Sequence, residues 1–300
     1  LGNITMAQGT INRTSDTASG DISLNGQDSI ISELITTCAD VSLVATTGSI
    51  TDLDAASLVS ASALNMQAAT NIADAVNDFN TKVSTIATDS TTGATFIEEV
   101  DAITVTNVTI SVNKVADTAM VSLNADIINE DINSGDALVF VAGGAIDTVA
   151  STGTITAAKN ILVDSAASIT LGANVTATDG HITIDAATLI AQDANIEAKS
   201  AGNTIEMIAQ LGNITMAQGT ITTASHANAG DISITAQNSI ISELITTTAN
   251  VSLIAQTGSI TDLDANSLVS ANALNLQAGT NIADAVNDYN THVTSLATDS

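Results

Sequence analysis

The residues best suited to chemistry in this chain are carboxylates. Asp52 and Asp54 stand two apart in the stretch TGSITDLDA (47–55), and the same nine letters return at 257–265 with Asp262 and Asp264. Two carboxylates at this spacing offer hard oxygen ligands to one cation, the preference of calcium, so all four are candidate Ca2+ ligands. Asp74 and Asp78 form a looser pair of the same kind. No EF-hand loop and no GGxGxDxUx nonapeptide accompanies them, so the competing reading is diffuse counter-ion binding. The densest acidic cluster is Glu98, Glu99 and Asp101 in FIEEVDAITV. Paired carboxylates a few ångströms apart carry out glycoside hydrolysis, and strand alternation would place Glu99 and Asp101 on one face and Glu98 on the other. With 32 Asp and Glu in the chain and aromatics at 1%, the cluster reads as a solvated acidic face. No catalytic residue and no organic cofactor is assigned.

Other reactive side chains stand alone. His181, His226 and His292 lack a metal-ligand neighbour at useful spacing. Cys38 is matched by Thr248 at the equivalent place of a second sequence copy. A lone cysteine exchanged for threonine is a small filler side chain, not a nucleophile or a disulfide partner.

The net charge of −27, with only five Lys and Arg, excludes nucleic acid as a partner, because such binding needs clustered basic residues. It also disfavours anionic lipid. Cations, basic surfaces and neutral glycans fit the charge. No apolar run is long enough for a membrane span, and no charged-then-apolar leader opens the sequence. The chain starts inside a repeated motif, so it reads as a piece of something longer.

The elements that must carry these residues are short strands. Residues 1–90 and 211–300 align without a gap with 66 identities, so residues 1–210 form one long unit and 211–300 begin the next. The exchanges between copies conserve volume: Leu24 for Ile234, Met66 for Leu276, Phe79 for Tyr289, as packed positions require. Within the unit an apolar–any–apolar motif recurs, as at Ile22/Leu24, Val41/Leu43, Leu64/Met66, Val121/Leu123, Ile161/Val163 and Ile182/Ile184. Period-2 alternation marks strands, and the Gly, Asn, Asp and Ser between them mark turns. An apolar fraction of 45% built from small aliphatics, with no proline, suits a narrow repetitive core whose ladders tolerate no missing N–H. The fold class that follows is all-β: a parallel β-helix (β-solenoid) continuous over 1–300, with about 21 residues per coil and about ten coils per 210-residue unit. TGSITDLDA recurs because the same coil returns.

One segment breaks the alternation. In NIADAVNDFNTKV (71–83), Ile72, Val76, Phe79 and Val83 follow helical spacing, repeated as Ile282, Val286, Tyr289 and Val293. The spacing predicts either a short helix or a long polar corner loop.

The stretches GNITMAQGTI, GDISITAQNSI and VSLIAQTGSITD resemble the coil repeats of filamentous-haemagglutinin-like adhesins and of the giant repetitive surface proteins of bacteria. The resemblance implies a secreted or cell-surface solenoid with an adhesive or scaffolding role. Its expected partners are neighbouring repeat units or like subunits end to end, and glycans or another cell's surface. The alternatives of other classes are a carbohydrate-active β-helix enzyme, lyase or hydrolase, and a self-assembling filament subunit.

Overall fold

The computed structural model describes residues 2–7, 9–13, 20–127, 131–223, 228–283 and 288–300. Among them every regular element is a strand, and the architecture is the expected parallel β-solenoid, with about 12 turns roughly 23 residues apart. Contacts divide the chain into two compact units. One is Leu1–Gly143 with Thr152–Thr154; the other is Gly144–Ser151 with Ile155–Ser300. The sequence duplication at residue 211 therefore begins inside the second unit.

Three columns of strands build the second unit. One column stacks Ile161–Ser165, Ile182–Ala186, Ile205–Ala209, Ile232–Ala236 and Asn250–Ala255, each parallel to the next. Its register sets Ile161 against Ile182, Ile182 against Ile205, Ile205 against Ile232, and Ile232 against Val251. Those partners are 21, 23, 27 and 19 residues apart in sequence. Coil length thus varies at the corners while the strands stay in register. A second column runs Ile169–Leu171, Ile190–Gln192, Ile214–Met216, Ile240–Ser242 and Ile260–Asp262. A third runs Val175–Ala177, Ile196–Ala198, Thr220–Thr223 and Leu244–Thr246.

Alternation along each strand sends every second side chain inward. In Ile182–Ala186, Ile182, Ile184 and Ala186 are buried while Thr183 and Asp185 are half-buried. The core is a column of Ile, Val, Leu, Met and Ala, each set lying on the set one coil away. In the first unit Val41, Leu43, Leu64 and Met66 are fully buried as expected, whereas Ile22 and Leu24 are only half-buried. Their strand pairs with Val41–Ala45 alone among the described residues.

The corners are tied by asparagine. Asn174 Oδ1 accepts a hydrogen bond from the backbone N–H of Asn195, and Asn195 Oδ1 accepts one from Thr220. Asn160 and Asn213 do the same for His181 and Ser239. Each side chain satisfies a backbone amide at the corner or strand start of the next coil. On the flat faces Asn65 Nδ2 donates to Ser42 Oγ at 3.0 Å, and its counterpart Asn275 donates to Ser252 at 3.2 Å.

Two expectations are corrected in the first unit. Residues 71–83 contain no helix: Val76 is 95% exposed, and Phe79–Ser90 is a 12-residue strand. Phe79, Thr81 and Val83 point inward by period 2, so the helical spacing of Ile72, Val76, Phe79 and Val83 is a coincidence of a corner followed by a strand. Residues 71–78 form the corner loop. In the second copy Val286 lies outside the described residues, and Tyr289 just precedes the strand Thr291–Asp299.

Val121 and Leu123 are likewise not a buried coil pair. They lie on Val121–Ile127, which pairs antiparallel with Thr109–Val115 in a hairpin, and they are 61% and 68% exposed. The coil that carries this hairpin sets Thr95 against Leu138, 43 residues apart in sequence. The excess over an ordinary coil is about the length of the hairpin.

The glycine of TGSITDLDA is explained by close stacking. A Cβ on Gly258 would lie 2.8 Å from the carbonyl oxygen of Asn238, and one on Gly48 would lie 2.7 Å from that of Asp28. Both oxygens belong to the preceding coil and neither can move alone. Gly258→Ala should therefore destabilise the protein by about 1–3 kcal/mol in denaturant unfolding. Gly2→Ala, with nothing within 4 Å of its Cβ, should change little in the same measurement.

Candidate functional site

The candidate aspartates end a strand and open a turn. Asp52 closes Ile50–Asp52 on the same side as the buried Ile50 and is itself buried. Its Oδ2 accepts from the backbone N–H of Asn80 at 3.2 Å and from Asn80 Nδ2 at 3.0 Å, and its Oδ1 accepts from Asn77 Nδ2. Burial lifts the Asp52 carboxyl to about 6, against the pull of the Asn80 hydrogen bonds, and the charge of Asp54 adds to the rise. The second copy repeats the arrangement: Asp262 Oδ2 accepts from Asn290 N at 3.1 Å and Nδ2 at 3.2 Å. A carboxylate at the end of one coil thus staples the start of a later strand.

Asp54 and Asp264 turn away from this staple. Both are exposed. Asp54 Oδ1 accepts from Ala56 N at 2.9 Å, and Asp264 Oδ1 accepts from Asn266 N at 2.7 Å and Ser267 N at 3.1 Å. The two carboxylates of each pair therefore serve different jobs, one fixing a corner and one bridging coils. Asp74 likewise caps its own loop, accepting from Val76 N at 2.8 Å. Calcium takes six to eight oxygen ligands. Both oxygens of Asp52 and Oδ2 of Asp262 instead face N–H donors, which a bound cation would have to displace. Among the described residues no three His, Cys, Asp or Glu side chains converge to hold a metal.

The acidic cluster separates differently from the expected face. Glu98 and Asp101 are exposed, but Glu99 is 1% exposed. Glu99 closes the inward series Thr95, Ile97, Glu99. Its Oε2 accepts from Thr81 Oγ1 at 2.8 Å and Val83 N at 3.1 Å, and its Oε1 accepts from Asp101 N at 3.2 Å. Burial pushes the carboxyl up to about 7, with the hydrogen bonds from Thr81 and from the Asp101 and Val83 amides opposing. A solvated acidic face describes Glu98 and Asp101 but not Glu99. A group so enclosed is a protonation-sensitive core residue.

The remaining candidates stay apart. The ring Nδ1 of His181 lies 2.8 Å from Thr204 Oγ1 on the surface. His292 is exposed, and His226 lies outside the described residues. Cys38 is a free, exposed thiol. No helix is long and apolar enough to cross a membrane among the described residues.

One polar pair was not legible beforehand. Ser242 Oγ, fully buried, shares a 2.6 Å hydrogen bond with the Tyr289 hydroxyl. Burial raises the Tyr289 phenol, so the group stays neutral. In the first copy Phe79 takes the place of Tyr289, and the equally buried Ser32 Oγ has no hydrogen-bond partner. The aromatic exchange was visible in the aligned copies. Its serine partner, 47 residues away, was not.

Two stability changes follow. Phe79→Tyr should satisfy Ser32 and stabilise by about 1 kcal/mol, while Tyr289→Phe should cost about 1–3 kcal/mol by orphaning Ser242; chemical denaturation checks both. For Glu99, a folded-state value of about 7 against about 4.5 unfolded means the folded state holds the proton more tightly. Its contribution is fully present below pH ~4.5 and is lost as pH rises through ~7. The loss is on the order of 3 kcal/mol. Glu99→Gln should flatten the wild-type decline between pH 5 and 8, measured as denaturation midpoints across that range. The chain matches no family model, no curated protein and no solved structure.

Proposed function

We infer that the protein is a structural and adhesive segment of a long extracellular or cell-surface repeat fibre, with attachment or scaffolding as its role. The observation that carries this reading is how the conspicuous polar groups are spent. Asp52 and Asp262, Asn174 and Asn195, and Asn65 and Asn275 all bond from one coil to another. Catalysis needs one preorganised constellation facing a substrate. A fibre needs every coil bound to the next. The charge of −27 suits the fibre reading, since it keeps like segments apart laterally and soluble. Neutral glycans and basic surfaces remain the partners such a surface fits.

The second reading, a carbohydrate-active enzyme, has Glu99 in its favour. A carboxyl lifted to about 7 has the proton affinity of a general acid. Against it, the group is enclosed by Thr81, Val83 and Asp101 and no sugar can reach it. Incubating the protein with a panel of acidic and neutral polysaccharides should give binding or nothing, and no cleavage. Turnover that disappears in Glu99→Ala, with the variant folded by circular dichroism, would replace the fibre reading with the enzyme.

A further inference from the structure

The hairpin of the first unit is held to the solenoid by one face and one edge. Val108 and Ile110 are buried against Ala63 and Ala87, with Val112 packed beside them. The backbone N–H of Ser111 donates to Asp21 Oδ2 at 3.0 Å, so the outer edge of Thr109–Val115 is anchored to a coil. Alternation sends the other set of side chains away from the coils. The register sets Val115 opposite Val121 and Asn113 opposite Leu123. All four are exposed, as is Met120 at the turn. Val115, Val121 and Leu123 lie on the face opposite to the buried Ile110, so coils beneath the hairpin cannot cover them, whatever their number.

The second edge of the hairpin is free. Val121–Ile127 pairs with Thr109–Val115 and, among the described residues, with no other strand. A free edge offers a row of N–H and C=O groups to any extended chain, and proteins blunt such edges with proline, lysine or a bulge. None of these devices guards this one. The two strands pair over seven consecutive residues without interruption. The chain has no proline, and the one lysine of the hairpin, Lys114, lies on the other strand. The hairpin is also neutral in an acidic chain: between Asp101 and Asp126 the only charged residues are Lys114 and Asp117.

We propose that the free edge Val121–Ile127 is a self-association site, which pairs antiparallel with the same edge of a second copy of this chain. Charge selects that occupant. Two chains of −27 repel wherever their acidic coils approach, and the neutral hairpin is where they meet with least repulsion. A basic or acidic partner finds no net charge there to hold it. Geometry agrees, because an antiparallel edge is complementary to its own copy: about a two-fold axis each donor of one strand meets an acceptor of the other. The pairing extends two strands to four and brings Val115, Val121 and Leu123 of both copies into one apolar strip. The contact is small, so one pairing is weak, and it gains strength where several copies lie side by side. It does not depend on an adhesive role for the chain.

Sedimentation velocity of the 300-residue protein, from micromolar to millimolar concentration, should show a reversible monomer–dimer equilibrium that strengthens as salt screens the coils. The double variant Val121→Lys, Leu123→Lys should weaken dimerisation about tenfold or more, although it makes the chain less negative. Its thermal midpoint should match wild type, since both side chains are exposed. Val76→Lys, at an exposed aliphatic on the corner loop, should leave dimerisation unchanged. An independent measurement uses a spin label on Ser122→Cys in a Cys38→Thr background. Position 122 is exposed and alternates away from the apolar strip, and paired edges should set the two labels within about 25 Å of each other. A protein that stays monomeric at millimolar concentration overturns the proposal. So does a dimer that the double variant leaves intact, or one whose labels lie farther apart. Binding of the monomer to phosphatidylcholine vesicles, lost in the double variant, would give the hairpin to a lipid surface and would also overturn it.

Discussion

Everything in this molecule rests on the parallel ladder between one coil and the next. A parallel strand cannot bond to its chain neighbour through a tight turn; it waits a whole coil for its partner. The backbone of each coil is therefore half-satisfied until the next arrives. Ile161 with Ile182 and Ile182 with Ile205 are the visible form of that dependence. Alternation then fixes which side chains fill the column. A slip of one residue would turn the isoleucines outward and bring Thr183 and Asp185 in, so register and core composition specify each other.

Corners and faces extend the same logic with side chains. Asparagine at a corner accepts the amide that the ladder leaves unpaired, and serine and asparagine on the flat faces bond between coils. Asp52 and Asp262 link the end of one strand to an asparagine 28 residues on, at the next corner-to-strand junction. The polar residues that look available for chemistry are mostly occupied with stacking. This is why a strongly acidic chain presents few converging carboxylates.

How much of this could be read in advance depends on what alternation reports. It reports one-sided burial, and where the buried side faces the column, as at Ile161/Val163 and Ile205/Met207, the strands follow from the letters. It says nothing about the direction of the partner. Val121/Leu123 alternates equally well and belongs to an antiparallel hairpin. At 71–83, four apolar residues separated by a polar corner imitate helical spacing, because a corner shifts the phase of the strand that follows. The inward aim of Asp52 and Glu99 was legible, each being two residues beyond an inward isoleucine, Ile50 and Ile97. Charge argued for solvent and obscured it. The partners of these acids, Asn80 and Thr81, could not be found without the register.

The hairpin coil shows how little closure depends on length. Between Thr95 and Leu138 the chain makes a detour of some twenty extra residues, yet Thr95–Glu99 and Leu138–Ala142 meet in full register. Closing a longer flexible loop costs only about 0.6 kcal/mol per doubling, and here the detour recovers area by packing on the coils beside it. Corners of this solenoid are thus grafting points. A segment with its own shape and its own recognition chemistry can be spliced in there without disturbing the stack, so surface novelty and structural continuity evolve independently in the same chain.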